Sequence, residues 1–146
     1  GVCNGFQILA ESGLLPGTLI KNNCLSFLCK TVSLKVNNCN TKFSNKYSEN
    51  EIINIPIAHN EGNFFANEDT LKEIIDGDQI VFRYCDLEGN INLNSNPNGS
   101  IENVAGIINK EGNVLGMMTH PERATCEITK LTDGEKLFKS IAESLL

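Results

Sequence analysis

The stretch that most restricts this chain is Gly1-Val-Cys3-Asn-Gly5, followed by Phe-Gln-Ile-Leu. A cysteine with glycine at minus two and plus two, between an apolar residue and a helix-like apolar pattern, has the spacing of a nucleophile elbow. In such an elbow a strand turns sharply into a helix, and the central residue is held in a strained conformation beside small neighbours. A cysteine placed there sits at a helix N-terminus, where free N–H groups and the macrodipole favour a thiolate. The N–H of Asn4 leads the groups that could receive an oxyanion. The spacing alone leaves a second reading open, in which Cys3 is a small buried hydrophobe, as free cysteines often are.

Downstream, Phe27 to Val36 alternates with Val32, Leu34 and Val36 on one face, and Glu51 to His59 reads as a second strand with Pro56 placing it at an edge or strand end. Residues 5–12 predict a short helix stopped at Gly13, and Asp69 to Gly77 predicts an amphipathic helix behind an Asp69 cap. Gln79 to Cys85 is a strand by content, and Asp86 to Ser100 reads as a loop. Val104 to Asn109 and Val114 to Met118 predict a hairpin. Asp133 to Leu146 predicts a helix capped by Asp133. Mixed helices and strands without a repeat or linker imply one α/β domain over residues 1–146.

Composition narrows the function classes. A net charge of -6, with the lysines scattered singly, supplies no basic patch for nucleic acid or an acidic membrane. No stretch approaches the roughly 20 apolar residues of a membrane span, and no basic-then-apolar leader is present. The six cysteines then read as reduced thiols. Cys24 and Cys29 are the nearest pair in sequence, no CxxC occurs, and the only histidines are His59 and His120, so no metal site is expected.

A second constellation is Met117-Met-Thr-His120-Pro-Glu122-Arg, at the end of a predicted strand. Residues two apart in extended chain share a side, so Glu122 reaches the His120 ring. Nucleophile, base and orienting carboxylate form the logical set of a catalytic triad. His59, in Pro56-Ile-Ala-His59-Asn-Glu61, also has a carboxylate two residues on, and spacing does not separate the two histidines.

GVCNGFQIL and GNVLGMMTHPER resemble the triad (class I) glutamine amidotransferases. PIAHNEGN, QIVFRYCD and NPNGSIENVAGIIN are similar to the glutaminase subunits of purine biosynthesis within that family. The likeness spans essentially the whole chain. It implies an open, mostly parallel sheet flanked by helices, flavodoxin-like, with the portion that the family carries before the elbow absent from this sequence. That portion includes a glycine-rich loop supplying the other oxyanion-hole donor. The resemblance further implies Cys3 as nucleophile, His120 as general base and acid, and Glu122 as its partner. Gln7 and the Asn4 N–H match substrate-amide and oxyanion positions, Arg83 and Tyr84 fall in a segment lining the glutamine pocket, and His59 matches a position outside the triad.

The implied reaction is hydrolysis of glutamine to glutamate and ammonia through a cysteinyl thioester. Ammonia is then delivered to an ATP-dependent synthetase subunit, which converts formylglycinamide ribonucleotide to its amidine. The implied partners are that synthetase and a small third subunit, in the cytoplasm, with no nucleic acid and no membrane. No cofactor is implied at the glutaminase site, ATP and magnesium being expected on the synthetase. Two alternatives remain: an inactive module acting in subunit interaction, and an amidotransferase serving a different synthetase. Asn60 and Thr119 depart from residues usual in the family.

Overall fold

The computed structural model describes residues 1–146. In chain order its elements are α1 (Asn4–Glu11), β1 (Thr18–Ile20), β2 (Leu28–Val36), β3 (Ile52–His59), β4 (Asn63–Phe65), α2 (Glu68–Asp76), β5 (Ile80–Cys85), β6 (Val104–Ile108), β7 (Leu115–Met117) and α3 (Glu135–Glu143). Five strands form one sheet in the order β3-β2-β5-β6-β7, and β1 and β4 form a separate two-stranded ribbon.

The mixed α/β architecture and the predicted strands and helices are present. The strand directions differ from the mostly parallel sheet expected, since every ladder among the named strands is antiparallel. The one parallel contact is the bridge from Val2 to Met117 in β7. Parallel neighbours need a crossover of a dozen or more residues, usually helical. Here β6 and β7 are joined by a short hairpin, which forces antiparallel pairing. Only Gly1–Val2, which leaves the sheet through α1, meets its neighbour in parallel.

Sequence alternation explains which faces are covered. In β2 and β3, Val32, Leu34, Val36, Ile53, Ile55 and Ile57 point into one buried cluster, while Lys30, Thr31 and Ile52 stay in solvent. β6 (VAGII) is buried at every position. Its Val104 and Ile107 join a cluster with Phe6 of α1 and Ile74 of α2. Its Ala105 and Ile108 join the cluster holding Leu137 of α3. Helices thus cover both faces of the sheet around β6, where the sequence is continuously apolar, and the β2–β3 end is covered on one face.

Two predicted caps move. Asn67, not Asp69, caps α2 by accepting from Thr70 N. Asp133 does not cap α3; its Oδ2 accepts the Asn54 N–H at 2.7 Å instead. Both predictions relied on the nearest acidic residue, and in α3 a strand 79 residues away competes for it.

Candidate active site

Gly1 to Cys3 run beside β7, with Met117 N donating to Gly1 O at 3.0 Å and Cys3 N to Met117 O at 2.8 Å. At Cys3 the backbone swings to φ 52°, ψ -107°, and α1 begins at Asn4. A cysteine rarely occupies positive φ, and such strain persists only where its surroundings over-determine it. Here Gly5 N closes on Val2 O at 2.8 Å, and Phe6 N and Gln7 N both donate to Cys3 O, at 3.0 and 3.2 Å. The two glycines of the motif differ in their reasons. A Cβ at Gly1 would lie 2.6 Å from the Gly5 carbonyl carbon and oxygen and from Leu9 Cδ1, whereas one at Gly5 would meet open space.

Cys3 is half-buried, and its thiol donates to Ala58 O at 3.6 Å. Burial pushes the thiol's pKa up, against the pull of the Asn4 N–H and the Arg123 charge. The helix N-terminus therefore does not by itself produce the thiolate that the motif suggests, because desolvation outweighs it. A base close by is required to take the proton.

His120 follows β7, and its N–H donates to Pro56 O at 2.8 Å. Its ring is buried, Nδ1 meets Glu122 Oε1 at 2.6 Å, and Nε2 has no partner. A carboxylate only accepts, so Nδ1 carries the hydrogen and Nε2 keeps its lone pair. Glu122 reaches the ring not through extended chain, as expected, but from a 3-10 turn over Pro121–Arg123 opened by the proline. Arg123 Nε lies 3.7 Å from the same carboxylate oxygen.

His59 has a different environment. Its Nδ1 lies 3.1 Å from Asn22 Oδ1, and Glu61 makes no bond to the ring. The Glu61 carbonyl instead accepts Gln7 Nε2 at 2.7 Å, which ties α1 to the loop after β3. Burial, and then the charge of His120, lower the His59 pKa to about 4. Two histidines alike in sequence spacing thus differ chemically: only His120 has a carboxylate to stabilise an imidazolium.

The other candidates divide. The backbone N–H of Asn4 favours the thiolate of Cys3. Tyr84 is fully buried, with its hydroxyl 3.3 Å from Asn98 Nδ2, and the charge of Cys3 adds to burial in raising its phenol. Arg83 points elsewhere: Nη1 donates to Glu102 O at 2.7 Å and to Glu102 Oε2 at 3.1 Å, and Nε to Asn37 Oδ1 at 3.2 Å. Successive strand residues face opposite sides, so Arg83 and Tyr84 cannot both line one pocket.

Sequence reasoning missed the supports. Asn98 Nδ2 and Ser100 Oγ both donate to Gly62 O, at 2.7 and 3.2 Å, and Phe64 N donates to Ser100 Oγ at 3.0 Å. NPNGS therefore clamps the loop after His59, and its turn-rich composition was the available signal. Asn22 bridges to His59 across 37 residues with no local signal at all. No group of three or more His, Cys, Asp or Glu residues is placed to hold a metal ion, and all six cysteines are free thiols.

Residues 1–140 match the family model of the CobB/CobQ-like glutamine amidotransferase domain. Among solved structures, the chain is similar to one in the structure of PurLQS from Thermotoga maritima, at 42% sequence identity and a TM-score of 0.85. The match covers 100% of this chain and 61% of that chain, so this chain spans less than two thirds of the length of its structural relative.

Proposed function

This chain belongs to the CobB/CobQ-like glutamine amidotransferase family, and on that premise we propose that it carries the glutaminase site of a phosphoribosylformylglycinamidine synthase. The observation that carries this reading is the His120–Glu122 pair at 2.6 Å, with Nε2 unpartnered, in the same site as a cysteine held at φ 52°. The likeness to PurLQS supports the purine assignment.

His120 Nε2 takes the Cys3 proton, and the Glu122 carboxylate stabilises the imidazolium that results. The thiolate attacks the side-chain amide carbon of glutamine, and the developing oxyanion takes the Asn4 N–H. As the C–N bond breaks, His120 returns its proton to the nitrogen, which leaves as ammonia. Water, losing a proton to His120, then attacks the thioester; the C–S bond breaks, His120 returns the proton to the Cys3 sulfur, and glutamate departs. Gln7 serves by fixing the Glu61 loop against α1. Tyr84 closes the buried side of the site, and Arg83 takes no part. No step needs a cofactor on this chain. ATP and magnesium act on the synthetase subunit that consumes the ammonia, and a small third subunit completes the assembly.

The test is ammonia release from glutamine by the protein and by Cys3→Ala. Loss of release in a variant that melts as the wild type does is expected. Undiminished release would remove Cys3 from the mechanism.

A further inference from the structure

His59 is the one buried histidine to which the hydrolysis above gives no task. Its orientation is fully determined. Asn22 Nδ2 donates to Ser26 O at 3.0 Å and to His59 O at 2.9 Å, so Asn22 Oδ1 is the atom facing the ring. That oxygen also accepts the Gly62 N–H at 3.0 Å. His59 Nδ1 therefore carries the hydrogen, and Nε2 presents a lone pair. The ring lies flat on Gly62, where any Cβ would collide with Cε1, Nδ1 and Nε2.

Nε2 of His59 is buried without a partner, and so is Nε2 of His120. A buried acceptor left unpaired is costly, and native proteins retain such groups mainly where function uses them. The backbone of strand β3 links both histidines to Cys3. Pro56 O receives the His120 N–H, Ala58 O receives the Cys3 thiol, and His59 is the next residue. An unpaired acceptor on the residue next to the nucleophile's own contact, beside a base that delivers a proton to the leaving group, matches a ligand nitrogen that bears hydrogens, which is what a primary carboxamide offers.

We propose that His59 Nε2 accepts one N–H of the substrate carboxamide and holds the nitrogen as it takes the His120 proton and departs as ammonia. This rests on the glutaminase reading. It makes His59 a substrate-binding residue specific for amides over esters, because a protonless leaving group gives it nothing to accept. The neutrality of the ring is consistent with this role: burial keeps it unprotonated at neutral pH, where an imidazolium would repel the amide N–H.

The experiment compares L-glutamine with the γ-methyl ester of L-glutamate, which has no amide N–H, as substrates of the wild type, His59→Ala and His59→Gln. Losing one hydrogen bond of ordinary strength is expected to lower kcat/KM for glutamine roughly 5- to 10-fold more than for the ester in His59→Ala. His59→Gln, whose Oε1 can stand near the place of Nε2, restores part of the preference. The ratio is internal to each variant, so a partly misfolded sample does not distort it. Equal losses on both substrates would make His59 a packing residue and overturn the proposal. If the wild type hydrolyses both substrates and His59→Ala changes neither, this proposal alone falls. If the wild type releases no ammonia from glutamine, the glutaminase reading falls and takes the proposal with it.

Discussion

At the scale of single residues, identical types in one motif have different physical reasons. Gly1 and Gly62 are small because a Cβ would strike the Gly5 carbonyl and the His59 ring respectively. Gly5 faces open space inside the first turn of α1. Gly5→Ala should therefore raise stability by about 0.5–1 kcal/mol, through helix propensity. Gly62→Ala should lower it by about 1–3 kcal/mol, through overpacking. Denaturant midpoints of the two variants test the contrast, and equal effects would refute it. His59 adds a pH signature. Its pKa falls from 6.5 to about 4 on folding, so between those values the unfolded chain binds a proton that the folded one does not. Stability should then be full above about pH 6.5 and decline towards pH 4, by on the order of 2–3 kcal/mol from this group. Unfolding free energies at pH 7 and pH 4.5 should lie measurably closer in His59→Gln than in the wild type. An unchanged gap would show that His59 is not the titrating group.

At the scale of elements, the site is held by connections rather than by the strands alone. β3 supplies two carbonyl contacts, Pro56 O to the His120 N–H and Ala58 O to the Cys3 thiol, while NPNGS pins the loop that follows through Gly62 O. The turn-rich composition of NPNGS announced a loop, but not that its Asn98 and Ser100 would be buried clamps. The helix caps show the same limit. Acidic residues near a predicted N-terminus suggested Asp69 and Asp133, yet Asn67 caps α2 and Gly134 occupies the N-cap position of α3. Asn67→Ala should cost about 1 kcal/mol, read as a shifted denaturant midpoint with an unchanged slope. Asp69→Ala should cost less, since Asp69 offers only its charge to the helix dipole. If the two substitutions cost the same, the cap assignment fails.

At the scale of the whole molecule, two clusters sandwich the sheet around β6, one holding α1 and α2 and the other α3. The same packing grades the six thiols. Cys24, Cys29 and Cys126 are exposed, Cys3 and Cys39 are half-buried, and Cys85 is buried with its pKa pushed up to about 11. Reactivity follows thiolate fraction and access. In the native protein, timed alkylation followed by peptide mass analysis should label the three exposed cysteines first and Cys85 last. Early labelling of Cys85 would contradict the packing described.

What the sequence determined by itself is what short-range patterns encode: the elbow at Cys3, the alternation of β2, the continuous apolarity of β6, and a histidine and carboxylate two residues apart. Tertiary structure decided which histidine has an acid partner, which way the strands run, where Arg83 points and what holds Gly62. These depend on hydrogen bonds joining residues far apart in the chain, such as Asn22 with His59 at a separation of 37 and Asn98 with Gly62 at 36. Local periodicity carries no trace of such a partner, because its energy appears only once the fold has brought the two groups together.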